Sequence, residues 1–155
     1  VTEPVPRSKY EIVIGAPASK TELGEEGYEI RTEGRRLLIA GSSARGTLFG
    51  VYGLLTDHWD CRWFTPDRSR IPKRSRLVLP ELDEIWIPKL EGREAYWWEA
   101  FDGNWAVRNR QNTTGARLEP RHGEGTVREG LVYSRGRKWY LVPRIQDGTV
   151  IRRYH

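Results

Sequence analysis

The segment from Ile39 to Asp67 constrains the fold of this chain most, because it combines a helical apolar pattern with closely spaced glycines. Apolar side chains recur at helical spacing and form one broad face: Leu48, Val51, Tyr52, Leu55 and Trp59. Gly46, Gly50 and Gly53 lie within the same stretch, and each costs about 1 kcal/mol relative to alanine inside a helix. A helix that tolerates them is expected to lie very close to another backbone, most simply that of a sheet. A glycine-rich loop is the alternative.

The start of this helix is marked by two serines. Ser42 and Ser43 are candidate N-caps, since a serine oxygen can accept a hydrogen bond from a free amide of the first turn. The pattern therefore predicts one principal helix from about Ala44 to Trp59.

Short strands flank the predicted helix. Three are expected before it and one after it, each bounded by glycine or proline: Tyr10–Ile14, Tyr28–Thr32, Arg36–Ala40 and Arg76–Leu79. A tight turn at Glu33–Arg35 joins the second strand to the third. The order β-β-β-α-β predicts an α+β fold, a small mixed sheet with the helix packed on one face.

Composition changes near Pro88, which divides the chain into a first domain of residues 1–87 and a second segment of residues 88–155. In the second segment Leu90–Trp98 is predicted to be a strand and Asp102–Gln111 a short helix. From Thr113 onward the chain is rich in glycine and arginine.

Charge and cysteine content limit the partners. Lys and Arg total 26 against 21 for Asp and Glu, so acidic sugars and nucleic acids are both admissible ligands. The basic residues are scattered along the chain, which disfavours nucleic acid. Cys61 is the only cysteine, so no intrachain disulfide can form. No run approaches the ~20 apolar residues of a membrane span, and no membrane partner is expected.

The chain starts at Val1 and contains no Met, so we interpret it as a processed or trimmed product. A secreted or periplasmic location is favoured if a signal peptide has been removed. Otherwise the sequence leaves the compartment open.

Carboxylates and histidines give no catalytic or metal site. Glu94, Glu99 and Asp102 lie close together in sequence, but acidic residues this frequent cluster by chance, and no catalytic pair is assigned. His58, His122 and His155 lack metal-ligand spacing. No phosphate loop, dinucleotide fingerprint or nucleophile elbow is present, so no cofactor is predicted.

An aromatic cluster is the best candidate for binding. Its members are Tyr96, Trp97, Trp98, Phe101 and Trp105, with polar side chains close in sequence at Arg93, Asp102, Arg108 and Asn109. Indole faces stack on the apolar faces of sugar rings, while charged and amide groups meet their hydroxyls. We therefore predict a sugar site made of Arg93, Trp97, Trp98, Asp102, Trp105 and Asn109. The alternative is that these aromatic residues form a core.

Residues 11–112 resemble the N-terminal region of bacterial α-glucuronidase-like and β-hexosaminidase-like glycosidases and their uncharacterised relatives. The main matching pieces are Glu11–Gly15, Gly27–Ile30, Leu38–Gly41, Ala44–Gly53, Cys61–Pro66 and Ile71–Lys73. The order and spacing of the pieces, more than any one of them, carry the resemblance. It implies that residues 1–87 form the small α/β domain that precedes a (β/α)8 catalytic barrel in these families.

The resemblance also implies that residues 88–155 are the incomplete start of such a barrel, with Arg93 at the position of a strand arginine that contacts sugar hydroxyls. The catalytic carboxylates of these families lie on later strands, so this chain has no position for them. An incomplete barrel leaves strand edges unpaired, so the rest of a barrel or a second copy of the chain is an expected partner.

The leading hypothesis is a non-catalytic accessory domain of a carbohydrate-degrading, glycoside-hydrolase-like protein, which braces or lines a cleft for a uronic-acid-containing or amino-sugar glycan. A stand-alone carbohydrate-binding module is the alternative. An active glycosidase of acidic sugars and a basic nucleic-acid-binding domain follow.

Overall fold

The computed structural model describes residues 10–19, 22–79, 81–90, 92–95, 97–112 and 118–123, and the backbone of 133–135 and 138–140. Contacts divide the chain into two compact units. One consists of Val1–Phe64 with Arg68–Pro88, and the other of Thr65–Asp67 with Lys89–His155.

The first unit is built on a mixed sheet. Its elements in chain order are β1 (Glu11–Ile14), β2 (Tyr28–Glu33), β3 (Arg36–Gly41), α1 (Ala44–Gly53), a π-helix (Leu54–His58), β4 (Arg62–Trp63), β5 (Ser69–Arg70) and β6 (Asp83–Trp86). The principal sheet has the order β1-β3-β2-β6, in which β1 is parallel to β3 while β2 is antiparallel to both β3 and β6. The predicted α+β class, a small mixed sheet with one main helix, is confirmed.

The main helix begins where the serines predict. Ser43 is the N-cap, and its Oγ accepts a hydrogen bond from Gly46 N at 3.1 Å. Ser42 instead contacts the loop before β2, donating from both N and Oγ to the Gly27 carbonyl at 3.1 and 3.3 Å. The α-helix ends at Gly53 and continues directly into the π-helix, so helical backbone extends to His58.

The glycines, and not the predicted apolar stripe, form the face of α1 that meets the sheet. Gly46, Phe49, Gly50 and Gly53 are buried, whereas Leu48, Val51, Tyr52, Leu55 and Trp59 are only half-buried. A Cβ added to Gly46 would lie 2.5 Å from the Gly27 carbonyl oxygen, and one added to Gly50 would lie 2.6 Å from Ile39 Cγ2. The expected close approach to the sheet is present, but it excludes the larger side chains that the periodicity assigned to that face.

The strand that completes the sheet differs from the prediction. Residues 76–79 are not in a strand, and Leu77 and Val78 are exposed. The sheet is completed by β6 because Trp86 stacks on Tyr28, with ring centroids 5.2 Å apart, and meets Phe49 edge-on at 6.3 Å. A charged start, Asp83-Glu84, concealed this strand from a search for apolar runs.

The described residues of the second unit form short helical elements and an antiparallel pair of strands. These are a 3-10 helix (Trp98–Phe101), α2 (Gly103–Arg108), a second 3-10 helix (Pro120–His122) and the antiparallel pair β7 (Tyr133–Arg135) and β8 (Lys138–Tyr140). The predicted helix at 102–111 is confirmed in shorter form. The predicted strand at Leu90–Trp98 is wrong for its described residues, 90, 92–95, 97 and 98, none of which is in a strand. The barrel fragment stays a prediction.

Replacing Gly46 or Gly50 by alanine should lower the free energy of unfolding by about 1 to 3 kcal/mol, because the new methyl group overpacks the contact between helix and sheet. Intrinsic helix propensity alone predicts the opposite sign, a gain of about 1 kcal/mol. Urea denaturation of both variants measures the difference.

Ala44→Gly serves as the control, because Ala44 is exposed in the first turn of the same helix. This substitution changes the intrinsic helix propensity at position 44 and leaves the contact between α1 and the sheet unchanged. A rise in stability for both Gly46→Ala and Gly50→Ala would contradict the close approach.

Candidate sugar-binding surface

The six residues predicted to bind sugar all belong to the second unit, but they differ in exposure. Trp97 and Trp98 are exposed, Arg93 and Asp102 are half-buried, Asn109 is exposed, and Trp105 is buried. Tyr96, the other member of the predicted aromatic cluster, lies outside the described residues.

Two consecutive indoles are turned towards solvent. Trp97 is 51 % exposed and Trp98 is 85 % exposed. Each touches one aromatic neighbour edge-on: Trp97 meets Trp105 at a centroid distance of 5.4 Å, and Trp98 meets Phe101 at 6.5 Å. Both indoles keep solvent-exposed ring surface, which stacking on a ligand requires.

Asp102 and Trp105 support the two exposed indoles from the interior of the unit. Asp102 is the N-cap of α2, and its Oδ1 accepts a hydrogen bond from Trp105 N at 2.7 Å. Trp105 is 4 % exposed, so its ring belongs to the core of the unit. For Trp105 the core interpretation of the aromatic cluster therefore holds, whereas Trp97 and Trp98 form its open part.

Arg93 binds the backbone on both sides of it. Its Nε donates to the Arg110 carbonyl and its Nη1 to the Leu90 carbonyl, each at 2.7 Å. Its own N–H donates to Oδ1 of the buried Asn112 at 2.9 Å, and Asn112 N donates back to the Arg93 carbonyl at 3.2 Å. Arg93 and Asn112 thus tie the chain before the tryptophans to the turn after α2.

The remaining predicted residue, Asn109, closes the end of α2. Its Nδ2 donates to the Trp105 carbonyl at 2.9 Å, and its backbone N–H contacts the carbonyls of Trp105 and Ala106. The polar residues near the indoles therefore bind the unit's own backbone, and their contact with a sugar stays a prediction.

Sequence reasoning missed two residues that hold this unit together, Asn112 and His122. His122 is buried, its Nδ1 accepts from Glu119 N at 2.9 Å, and its Nε2 lies 3.0 Å from Asn104 Oδ1. Because Nδ1 accepts, this arrangement requires the neutral tautomer with its proton on Nε2, which donates to Asn104. The sequence feature that could have marked this short helix is the glycine that follows His122. Gly123 ends the helix in a left-handed conformation, with φ of 83°, which favours glycine.

Among the described residues of the first unit, two carboxylates are buried, Glu26 and Glu29, and both have partners. Glu29 accepts from Ser19 N and Oγ at 2.7 and 2.9 Å and pairs with Arg31. Glu26 pairs with Arg45 at 3.1 Å, with both side chains buried. The Glu33 carboxylate, which accepts from Arg31 Nε, raises the pKa of Arg31 above its ordinary value. Both buried carboxylates are thus engaged by arginine side chains.

One pocket of about 330 Å³ lies beside the turn between β2 and β3, where Arg35, Arg36 and Glu81 are among the lining residues. The Arg36 Nε donates to Glu11 at 2.9 Å, so this guanidinium is already paired with a carboxylate. The lining of the pocket therefore combines opposite charges, Arg35 and Arg36 with Glu81.

Within the described ranges, no group of three or more His, Cys, Asp or Glu side chains could hold a metal ion. Among the same residues, no helix has the length and apolarity needed to cross a bilayer. No protein-family model, no curated protein and no solved structure matches the chain.

Asp102→Ala should lower the stability of the second unit by roughly 0.5 to 2 kcal/mol, because the first turn of α2 loses its cap. Asp102→Asn, which keeps an accepting side-chain oxygen, should lose much less. Thermal unfolding followed by tryptophan fluorescence measures both. Equal losses in the two variants would mean that the carboxylate charge, and not the cap, holds the turn.

Proposed function

We propose that this chain is a non-catalytic accessory domain of a carbohydrate-degrading, glycoside-hydrolase-like protein, and that Trp97 and Trp98 line a sugar-binding cleft. The observation that carries the proposal is the pair of consecutive exposed indoles on a braced scaffold. Large exposed aromatic side chains next to one another are uncommon unless they serve binding, because their burial is favourable by ~2 kcal/mol or more each.

The chemistry of the pair suits a sugar. A pyranose ring presents a face of C–H groups that packs on an indole, and its hydroxyls then need donors and acceptors around the rim. Glu99 and Asn104 lie on the two short helices of this surface, and Asn104 is exposed. The resemblance to α-glucuronidase-like and hexosaminidase-like proteins narrows the ligand to glycans that contain uronic acids or amino sugars.

The scaffold behind the indoles supports the proposal in a second way. Asp102 caps α2 and Trp105 fills the core, so Trp97 rests against a buried ring. A binding surface whose aromatic groups are already fixed loses less side-chain entropy when a ligand binds. Arg93 acts here as a positioning residue, because its guanidinium ties the preceding chain to the turn after α2.

Trp98→Ala should weaken the binding of fragments of glucuronoxylan or chitin by about tenfold or more, because the open stacking face is lost. Isothermal titration calorimetry against neutral xylan, glucuronoxylan and chitin fragments measures the affinity and ranks the sugars.

Phe64→Ala is the matched control, since Phe64 is a similarly exposed aromatic residue of the first unit, 60 % exposed. It should leave the affinity unchanged. Equal losses of sugar affinity in both variants, or no loss with Trp98→Ala, would mean that the exposed indoles do not bind the sugar.

A stand-alone carbohydrate-binding module is the second candidate, and the same exposed indoles favour it. An open reading frame that continues into a barrel supports the accessory domain, whereas tight binding by the chain without any such continuation supports the module. A nucleic-acid binder would instead lose affinity steeply with salt, because phosphate contacts release counterions.

The chain alone should not turn over aryl-glucuronides or aryl-hexosaminides. Glycoside hydrolysis requires two positioned carboxylates, and the segment that carries them in the resembling families is the later barrel. Release of nitrophenol by the purified chain, abolished in a Glu94→Gln or Glu99→Gln variant but retained in a Glu22→Gln control, would overturn this expectation.

A further inference from the structure

The outer edge of β1 has no strand beside it in the part of the chain that the structure describes. β1 is the first strand in the order β1-β3-β2-β6, and its only partner there is β3. An open edge presents a row of peptide groups that can pair with another strand. Natural sheets commonly protect such edges with charges or prolines. β1 has the sequence Glu-Ile-Val-Ile, so it has one charge at its start, no proline and three consecutive aliphatic residues.

The ladder to β3 determines which peptide groups face outward. Glu11 N donates to the Arg35 carbonyl at 3.0 Å, and Gly15 N donates to the Ile39 carbonyl at 2.9 Å. The two-residue period of a strand assigns Val13 to the same inward set. The N–H and C=O groups of Ile12 and Ile14 therefore point to the open edge.

The side chains of Ile12 and Ile14 are also uncovered. They are 42 % and 58 % exposed, although their partners in β3, Leu37 and Ile39, are fully buried. Paired residues share a face of the sheet, and α1 covers that face over β2 and β3, where Gly50 approaches Ile39. The covering helix stops short of β1, so this edge combines open peptide groups with open apolar side chains.

We propose that β1 pairs antiparallel with β1 of a second copy of this chain, with Val13 on the two-fold axis. In this register Ile12 lies opposite the partner's Ile14 and exchanges both of its outward hydrogen bonds with it. The two-fold axis repeats this pair, so four isoleucines meet on one face of a continuous eight-stranded sheet.

Electrostatics and symmetry favour a second copy over an unrelated peptide. Glu11 lies opposite the partner's Gly15 in this register, so no two like charges oppose each other across the new ladder. On the face of the sheet that carries α1, each isoleucine of β1 lies opposite an isoleucine of the second copy. This is the self-complementarity that an isologous contact needs. A register with Ile12 on the axis would instead need Tyr10, which lies outside β1, to complete its hydrogen-bonded pairs.

The contact is small. A four-residue strand pair buries much less than the area of about 1,000 Å² or more that marks a stable interface, so the dimer should be weak and concentration-dependent. This inference is independent of the sugar-binding surface, because it involves only residues of the first unit.

Cross-linking tests the register directly. The peptide groups of Val13 point inward to β3, so Val13 and its copy across the axis form a non-hydrogen-bonded antiparallel pair. Residues in such a pair have Cα atoms about 4.5 Å apart, within the range of roughly 4.4 to 6.8 Å that a disulfide spans. In a Cys61→Ala background, Val13→Cys should form a disulfide-linked dimer under mild oxidation. Ile12→Cys, its matched control, should not, because its counterpart across the axis is Ile14.

Sedimentation velocity over a wide range of concentration tests the association itself. Ile14→Glu should weaken dimerisation by about tenfold or more, because a carboxylate would replace the isoleucine side chain that packs on Ile12 of the second copy in the dimer. The double variant Ile12→Lys with Ile14→Glu should restore much of it, since opposite charges then face each other across the axis. Circular dichroism confirms that each variant keeps its fold.

Three results would overturn the proposal. The first is a monomer at every concentration together with no cross-link by Val13→Cys. The second is faster cross-linking by Ile12→Cys, which would place Ile12 on the axis. The third is a double variant that associates no better than Ile14→Glu alone, because the register predicts rescue.

Discussion

The close approach of α1 to the sheet is the contact on which the first unit depends. Gly46 lies against the Gly27 carbonyl and Gly50 against Ile39, so the helix axis comes nearer to the strands than side chains would allow. This proximity buries Phe49 beside Trp86, and Trp86 stacks on Tyr28. The same aromatic contacts select Asp83–Trp86 as the fourth strand of the sheet. Because one narrow helix covers only the central strands, Ile12 and Ile14 on β1 remain open.

The second unit is stabilised differently. It has little regular secondary structure among its described residues, and side chains supply the hydrogen bonds that strands or long helices would otherwise make. Asn112 binds the backbone of Arg93, Asp102 caps α2, and His122 bridges Glu119 and Asn104. Such a network fixes a surface of consecutive indoles without needing a sheet beneath it. It also explains why polar residues close to Trp97 and Trp98 bind the chain itself.

The two open surfaces call for different partners. Trp97 and Trp98 offer flat aromatic faces, which suit sugar rings, whereas the edge of β1 offers peptide groups with aliphatic side chains, which suit another strand. The sugar-binding proposal rests on side-chain chemistry and on the resemblance to glycosidases. The dimer proposal rests on backbone geometry, and neither requires the other to be correct.

Local sequence determined the elements whose signals are local. The short strands β2 and β3, the turn at Gly34 and the cap at Ser43 each depend on neighbours along the chain, and all were predictable. Exposure of Trp97 and Trp98 was compatible with the sequence, which left a core cluster equally open. Tertiary structure decided the rest: which face of α1 meets the sheet, which segment becomes the fourth strand, and that Arg93 is bonded to Asn112 instead of to a neighbouring strand. These outcomes depend on contacts between residues far apart in sequence, such as Tyr28 with Trp86 or Arg93 with Asn112, and apolar periodicity carries no information about them.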